Sequence, residues 1–137
     1  MVAELKAHGV DCPERWIRRG AHRIESGYEQ AQWLTRNAPG FTAIACGSDL
    51  IAVGALSALK EAGIGVPGDV SLIGYDDIYL TKLVEPNITT VRLPASAMGQ
   101  SAMRMLIQHM LGQHPTEVRV SFQPELIERK SVRDQNE

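Results

Sequence analysis

The stretch Phe41-Thr-Ala-Ile-Ala-Cys-Gly-Ser-Asp-Leu50 decides the fold of this chain. Its first six residues form a short apolar run typical of a strand, and Ser48 or Asp49 can cap a helix predicted over Leu50–Ala62. The run Val70–Tyr75 repeats this arrangement, since it is again apolar and is followed by polar residues. Strands that are apolar on both faces belong in a parallel sheet with helices on each side. We therefore predict an α/β fold with three α/β/α layers and a mainly parallel sheet.

Outward from this stretch, helical and strand-like patterns alternate along the chain. Apolar spacing and capping signals predict further helices over Val2–His8, from Ser26 to Asn37, and over Ala97–Leu111. Short apolar or β-branched runs predict further strands at Arg15–Arg19, Ile88–Leu93, Val118–Phe122 and Leu126–Arg129.

The composition limits the classes of function. The chain has 137 residues, with 14 Lys and Arg against 16 Asp and Glu. A domain that grips DNA by itself usually has a basic balance, so this chain is not expected to bind DNA alone. No apolar stretch approaches the ~20 residues of a membrane span, and the first residues do not resemble a secretory signal. Cys12 and Cys46 have no metal-ligand spacing and fit reduced thiols of a cytoplasmic protein.

Three loops follow predicted strands and carry polar side chains: Gly20–His22, Gly47–Asp49 and Tyr75–Asp77. Ligands of open α/β sheets bind outside the carboxyl ends of the strands, where such loops gather. If the three strands are parallel neighbours, His22, Ser48 and Asp76 lie at the same edge. The pattern predicts that these three residues bind a small polar molecule.

Each of these residues also has a simpler structural interpretation. Ser48 and Asp49 fit a helix N-cap and its neighbour, Asp76 fits a turn cap or a solvated carboxylate, and His22 fits an exposed loop residue. The adjacent carboxylates have no His or Glu at a supporting spacing, so no metal is predicted. No strand–elbow–helix motif surrounds Ser26, so no catalytic residue and no cofactor are predicted. Both interpretations of the loops are open at this point.

The longer motifs resemble the LacI/GalR family of bacterial transcription regulators. The resemblance lies in four segments that occur in the family's order and spacing: 41–56, 62–78 with its Gly-Tyr-Asp-Asp motif, Glu85–Pro94, and 124–131. It implies one lobe of a periplasmic-binding-protein-like (type I) fold, in which two lobes close over a sugar or a nucleobase. It also implies a homodimer or higher oligomer, with operator DNA bound only by an N-terminal helix-turn-helix domain that would precede this segment.

The resemblance implies a division of the chain into three parts. Residues 1–94 would form the C-terminal effector-binding lobe, beginning inside its first helix. Residues 95–123 would supply a helix and a strand to the N-terminal lobe, and residues 124–137 would be a return strand and a tail. The helix of the middle part is rich in Met and Leu. We expect this apolar face to be covered by core packing in the intact protein and to contact a second copy in this chain.

The resemblance also assigns roles to the three loop residues. Asp76 matches the first Asp of the Gly-Tyr-Asp-Asp motif, which contacts the effector. Ser48 stands where the family usually has Asn facing the ligand, and His22 where an aromatic ring often packs on it. These two departures leave the effector open among sugars, sugar derivatives and nucleobases. The alternative function is a periplasmic sugar-binding protein of a transport system, and a more distant one is an enzyme using Asp76 and His22 for proton transfer.

Overall fold

The structure, a computed structural model, describes residues 2–10, 12–113 and 119–134. Its helices are α1 (Val2–Ala7), α2 (Ile24–Asn37), α3 (Asp49–Glu61) and α4 (Ala95–Met110). Its strands are β1 (Ala43–Ala45), β2 (Ser71–Tyr75), β3 (Thr89–Arg92) and β4 (Glu125–Ile127). Short 3-10 helices lie at Glu14–Trp16 and Tyr79–Lys82.

The strands form one sheet in the order β1-β2-β3-β4. β1, β2 and β3 run parallel, with Ala45 opposite Ile73 and Tyr75 opposite Val91, whereas β4 is antiparallel to β3. The predicted parallel pairing of the two apolar runs that contain β1 and β2 is therefore confirmed. The α/β class with a mainly parallel sheet is confirmed as well.

The core lies between the sheet and helix α3, which connects β1 to β2. Helix α3 buries small alanines together with larger leucines, and Leu59, Leu72 and Ile88 have no exposed surface. Helix α2 packs on α3 at two glycines. A Cβ at Gly27 would lie 2.1 Å from the carbonyl oxygen of Ile51, and one at Gly54 would lie 1.9 Å from that of Ile24. The two helix backbones therefore touch, which holds the loops before and after α2 close to the sheet.

The predicted strand at Arg15–Arg19 is wrong. Part of it belongs to a 3-10 helix, and the rest has no regular structure, because no neighbouring strand pairs with it. The guanidinium of Arg18 instead lies 4.0 Å from the centroid of the Trp33 ring, and its Nε donates to Gln30 Oε1 at 2.9 Å. The segment is thus attached to α2 rather than to the sheet.

Two other boundaries need correction. Residues 119–122 form no strand, and Val118 of that predicted strand lies outside the described residues. Helix α2 begins at Ile24, so Ser26 does not open it but is buried in its first turn.

The second face of the sheet and α4 are much more open than the core. On the face away from α3, Ile73 is half-buried and Ala43 and Ala45 are exposed. Helix α4 contains no buried residue. Among the described residues, no helix is long and apolar enough to cross a membrane. The division at residues 94 and 123 stays a prediction.

Candidate functional site

The carboxyl ends of β1 and β2 meet at one edge of the sheet, because the two strands run parallel. Ser48 comes shortly after β1, and Asp76 comes directly after β2. The two residues therefore lie at the same edge, as predicted. His22 is exposed and is not carried by a strand. Gly20, in the same loop as His22, and Gly47, which follows β1, nevertheless line one cavity of about 580 Å³. The loop of His22 therefore lies near the end of β1.

Ser48 is the N-cap of α3. Its Oγ accepts from the amide of Ile51 at 3.4 Å, and its backbone is extended, as caps require. The residue is only 3% exposed. The capping interpretation of Ser48 is thus confirmed, whereas its predicted contact with a ligand stays a prediction.

The turn after β2 has an unusual backbone. Asp76 has φ 114° and Asp77 has φ 55°, both in the region that favours glycine. Non-glycine residues persist there only when the surrounding structure holds them, and such positions cluster at ligand sites. The amide of Asp76 donates to the carbonyl of Val91 at 2.9 Å, which fixes the turn to β3. Asp76 is exposed and lies at the start of this turn.

A buried carboxylate lies beneath the turn. Asp49 has no exposed surface, and its Oδ1 accepts from Thr90 Oγ1 at 2.6 Å while its Oδ2 accepts from the amide of Ile78 at 2.8 Å. Burial raises the pKa of Asp49 above its ordinary value; the hydrogen bonds from Thr90 and Ile78 oppose this rise, and the neighbouring charge of Asp76 adds to it. The carboxylate therefore joins the start of α3 to β3 and to the turn.

The side chain of Asp77 binds two arginines. Its Oδ1 accepts from Arg129 and its Oδ2 from Arg92 Nε at 2.7 Å, while its side chain is 6% exposed. Burial raises the pKa of Asp77, but the hydrogen bonds and charges of Arg129 and Arg92 outweigh this effect and hold the pKa below its ordinary value. Asp77 is therefore an ionised anchor rather than a free ligand group.

Two further observations describe the chemistry at this edge. Burial, followed by the charge of Asp49, raises the pKa of the Cys46 thiol to about 12, so the thiol is neutral and unreactive at neutral pH. Among the described residues, no group of three or more His, Cys, Asp or Glu could hold a metal ion. An exposed carboxylate on a fixed turn can accept hydrogen bonds from hydroxyl or amide groups.

The sequence did not single out three residues of this network: Asp49 as a buried acceptor, Thr90 and Arg129. Asp49 was considered only as a helix cap or as the neighbour of one. A signal for the other two exists, since Thr90 lies in a β-branched run between Ile88 and Val91, and Arg129 follows β4, which pairs with β3. That signal gives no partner, because Thr90 is 41 positions from Asp49 and Arg129 is 52 positions from Asp77.

Taken together, the fold and this edge define a small-molecule-binding α/β lobe. The chain belongs to the family of periplasmic binding protein-like domains, which matches residues 1–132. Its relatives in sequence and structure include transcriptional repressors and regulators of the LacI family.

The relatives can be stated in numbers. The chain is 37% identical over 134 residues to the HTH-type transcriptional repressor PurR of Klebsiella pneumoniae subsp. pneumoniae, covering 98% of this chain and 39% of that protein. The structure of the transcriptional regulator CelR in complex with cellobiose has a TM-score of 0.89 and 32% identity, covering 94% of this chain and 39% of that one. A LacI-family sugar-binding regulator from Escherichia coli in complex with phosphate has a TM-score of 0.84 and 33% identity, covering 95% and 46%. The chain thus spans less than half the length of these proteins.

Proposed function

We propose that this chain is the effector-binding lobe of a LacI-type transcription regulator, and that it binds a sugar, a sugar derivative or a nucleobase where β1 and β2 end. The observation that carries the proposal is the exposed Asp76, presented on a positive-φ turn at the carboxyl end of β2. Relatives that share this lobe include a repressor and a regulator solved with cellobiose. A fixed carboxylate suits the hydroxyl groups of such a ligand.

Three side chains would make the contacts. Asp76 would accept hydrogen bonds from hydroxyl or amide groups of the effector. His22 is exposed and offers both a ring face and ring nitrogens. Ser48 would contribute only at the rim, since its hydroxyl already caps α3. This division makes Asp76 the main recognition group.

The rest of the regulator's activity belongs to the longer protein. We propose that it acts in the cytoplasm as a homo-oligomer, without catalysis, and that operator DNA is bound by a separate helix-turn-helix domain. The net charge of −2 supports this division of labour, because DNA binding relies on basic residues that neutralise phosphates.

A ligand panel tests the proposal. Thermal unfolding of the chain is followed with cellobiose, common monosaccharides, inorganic phosphate and nucleobases, because a ligand that binds only the folded state raises the melting temperature. For the compound with the largest shift, Asp76→Ala should weaken binding by about 1.5–3 kcal/mol, as measured by calorimetry. Glu29→Ala, which removes an exposed carboxylate from α2, is the control and should bind like wild type. Equal affinity in the Asp76 variant would assign that residue a structural role.

A further inference from the structure

Asp49 is a buried acid that makes none of the proposed effector contacts. It has no exposed surface, yet each of its carboxylate oxygens accepts a strong hydrogen bond. Gly74 leaves the space that this carboxylate occupies, since a Cβ at Gly74 would lie 2.1 Å from Asp49 Oδ1. A buried carboxylate is costly unless it is well bonded, and here both oxygens have a donor.

The bonds of Asp49 converge on the turn that carries Asp76. Its Oδ2 accepts from the amide of Ile78 at 2.8 Å. Its Oδ1 accepts from Thr90 Oγ1, and that hydroxyl oxygen in turn accepts from the amide of Asp77 at 3.4 Å. Because Thr90 donates to the carboxylate, its lone pairs are left to face Asp77. One carboxylate therefore orients two consecutive amides, directly and through one hydroxyl.

These amides lie where the backbone is strained. Asp76 and Asp77 both have positive φ, and the strain persists only if the surrounding bonds hold it. The amide of Asp76 is held by Val91, and the next two amides are held by the Asp49–Thr90 pair. Loss of that pair leaves the amides of Asp77 and Ile78 without their acceptors, although Val91 and the two arginines bound to Asp77 still hold the turn.

We propose that Asp49 is a positioning residue for the effector site, acting with Thr90 to hold the turn on which Asp76 meets the ligand. The inference rests on the proposed function, since the turn affects binding only if Asp76 contacts the effector. A purely structural Asp49 would stabilise the whole lobe without any particular effect on this turn.

Amide hydrogen exchange by NMR separates the two roles without any ligand. Thr90→Val removes the hydroxyl and keeps the shape, Thr90→Ser keeps the hydroxyl, and Asp49→Asn leaves one oxygen for two donors. In Thr90→Val and Asp49→Asn, the amides of residues 76–78 should exchange at least about tenfold faster relative to those in the middle of α3, as expected for local opening. Thr90→Ser should exchange like wild type. If Asp49→Asn does not fold, the two Thr90 variants still decide the matter.

A uniform acceleration of all amides in Thr90→Val, or no change at residues 76–78, would overturn the positioning role.

A second measurement then addresses binding. Cellobiose, and any other panel compound that binds wild type, should bind Thr90→Val about tenfold more weakly than Thr90→Ser, the size of one lost hydrogen bond. Faster exchange with unchanged affinity would separate the turn from the site and refute the inference. If wild type binds no panel compound, the proposed function fails and the effector role of Asp49 with it, while the exchange data still show whether Asp49 sets the turn.

Discussion

The turn at residues 75–78 and helix α4 differ in what they leave uncovered. The turn pairs its backbone amides within the chain, whereas α4 leaves its apolar side chains exposed. In the turn, the amides from Asp76 to Ile78 each have an acceptor within the chain. In α4 no residue is buried, and Met103, Leu106 and Met110 are 55%, 52% and 75% exposed. Unpaired polar groups are costly when buried, and apolar groups are costly when exposed.

The difference shows which of the two regions is complete within the described part of the chain. The turn is held by hydrogen bonds within the chain, so Asp76 of the proposed site is positioned without a partner. Helix α4 presents an apolar face that the described residues leave uncovered, which is typical of a surface for association. The contrast would fail if the same substitution lowered the unfolding free energy equally in α4 and in the part of the chain that is held by internal contacts.

The largest effect is expected from one substitution, Leu to Ala, made in the buried core and again in α4. Leu59 in α3 has no exposed surface, so Leu59→Ala should lower the free energy of unfolding by about 2–5 kcal/mol through lost burial and a cavity. Leu106→Ala in α4 should change it by less than about 0.5 kcal/mol, as for other exposed positions. Urea unfolding at submicromolar protein, where association does not contribute, measures both. Similar losses would mean that α4 packs on the lobe.

A smaller effect, with a defined pH dependence, is expected from Asp77. Asp77→Asn should lower the free energy of unfolding at pH 7 by about 3 kcal/mol, because it leaves Arg129 without its charge partner in a site where that side chain is 11% exposed. The pKa of Asp77 is lowered by folding. Its contribution is therefore fully present above the ordinary value for Asp, ~3.9, and is lost as the pH falls through the lower folded value.

Glu125→Gln is the matched control for Asp77. Glu125 binds the same arginine, Arg92, at 3.1 Å, but its side chain is 66% exposed. An exposed ion pair contributes at most about 1 kcal/mol, so this variant should stay close to wild type. Urea unfolding at pH 7 and in the acid range should show the gap between Asp77→Asn and wild type closing as the pH falls. A constant gap would mean that the ion pairs are not its source.

Much of the fold could be predicted because the apolar run around β2, the β-branched run around β3 and the apolar spacing in α3 are local signals. The failure at Arg15–Arg19 has a physical reason as well. A strand is stabilised by a neighbour, and the local pattern cannot show that none pairs with this segment. Its Arg18 finds Trp33 instead, a contact across 15 positions that no periodicity encodes.

The candidate site could be predicted only in outline. Parallel strands place Ser48 and Asp76 at one edge, which follows from the order of the strands alone. The positive φ of Asp76 could not be foreseen, because Asp is not the residue that such a conformation usually selects. The buried role of Asp49 depends on Thr90, which is distant in sequence and is brought near by β3.

The smallest effect on stability, and a clear effect on association, is expected from the exposed face of α4. Met103, Leu106 and Met110 recur every three or four residues, so they share one face of the helix. We expect this face to contact a second copy of the chain, because burying one such side chain is worth about 1.5–3 kcal/mol relative to exposure. Folding back on its own sheet would cover the face equally well, but no residue of α4 is buried in this structure.

The variant Met103→Gln/Leu106→Gln should change the unfolding free energy of the single chain by less than about 0.5 kcal/mol. In sedimentation at tens of micromolar, wild type and the control Arg104→Gln, which lies on the opposite side of the helix, should be dimers, and the double variant should be a monomer. A wild-type chain that sediments as a monomer throughout would show that α4 does not join two copies.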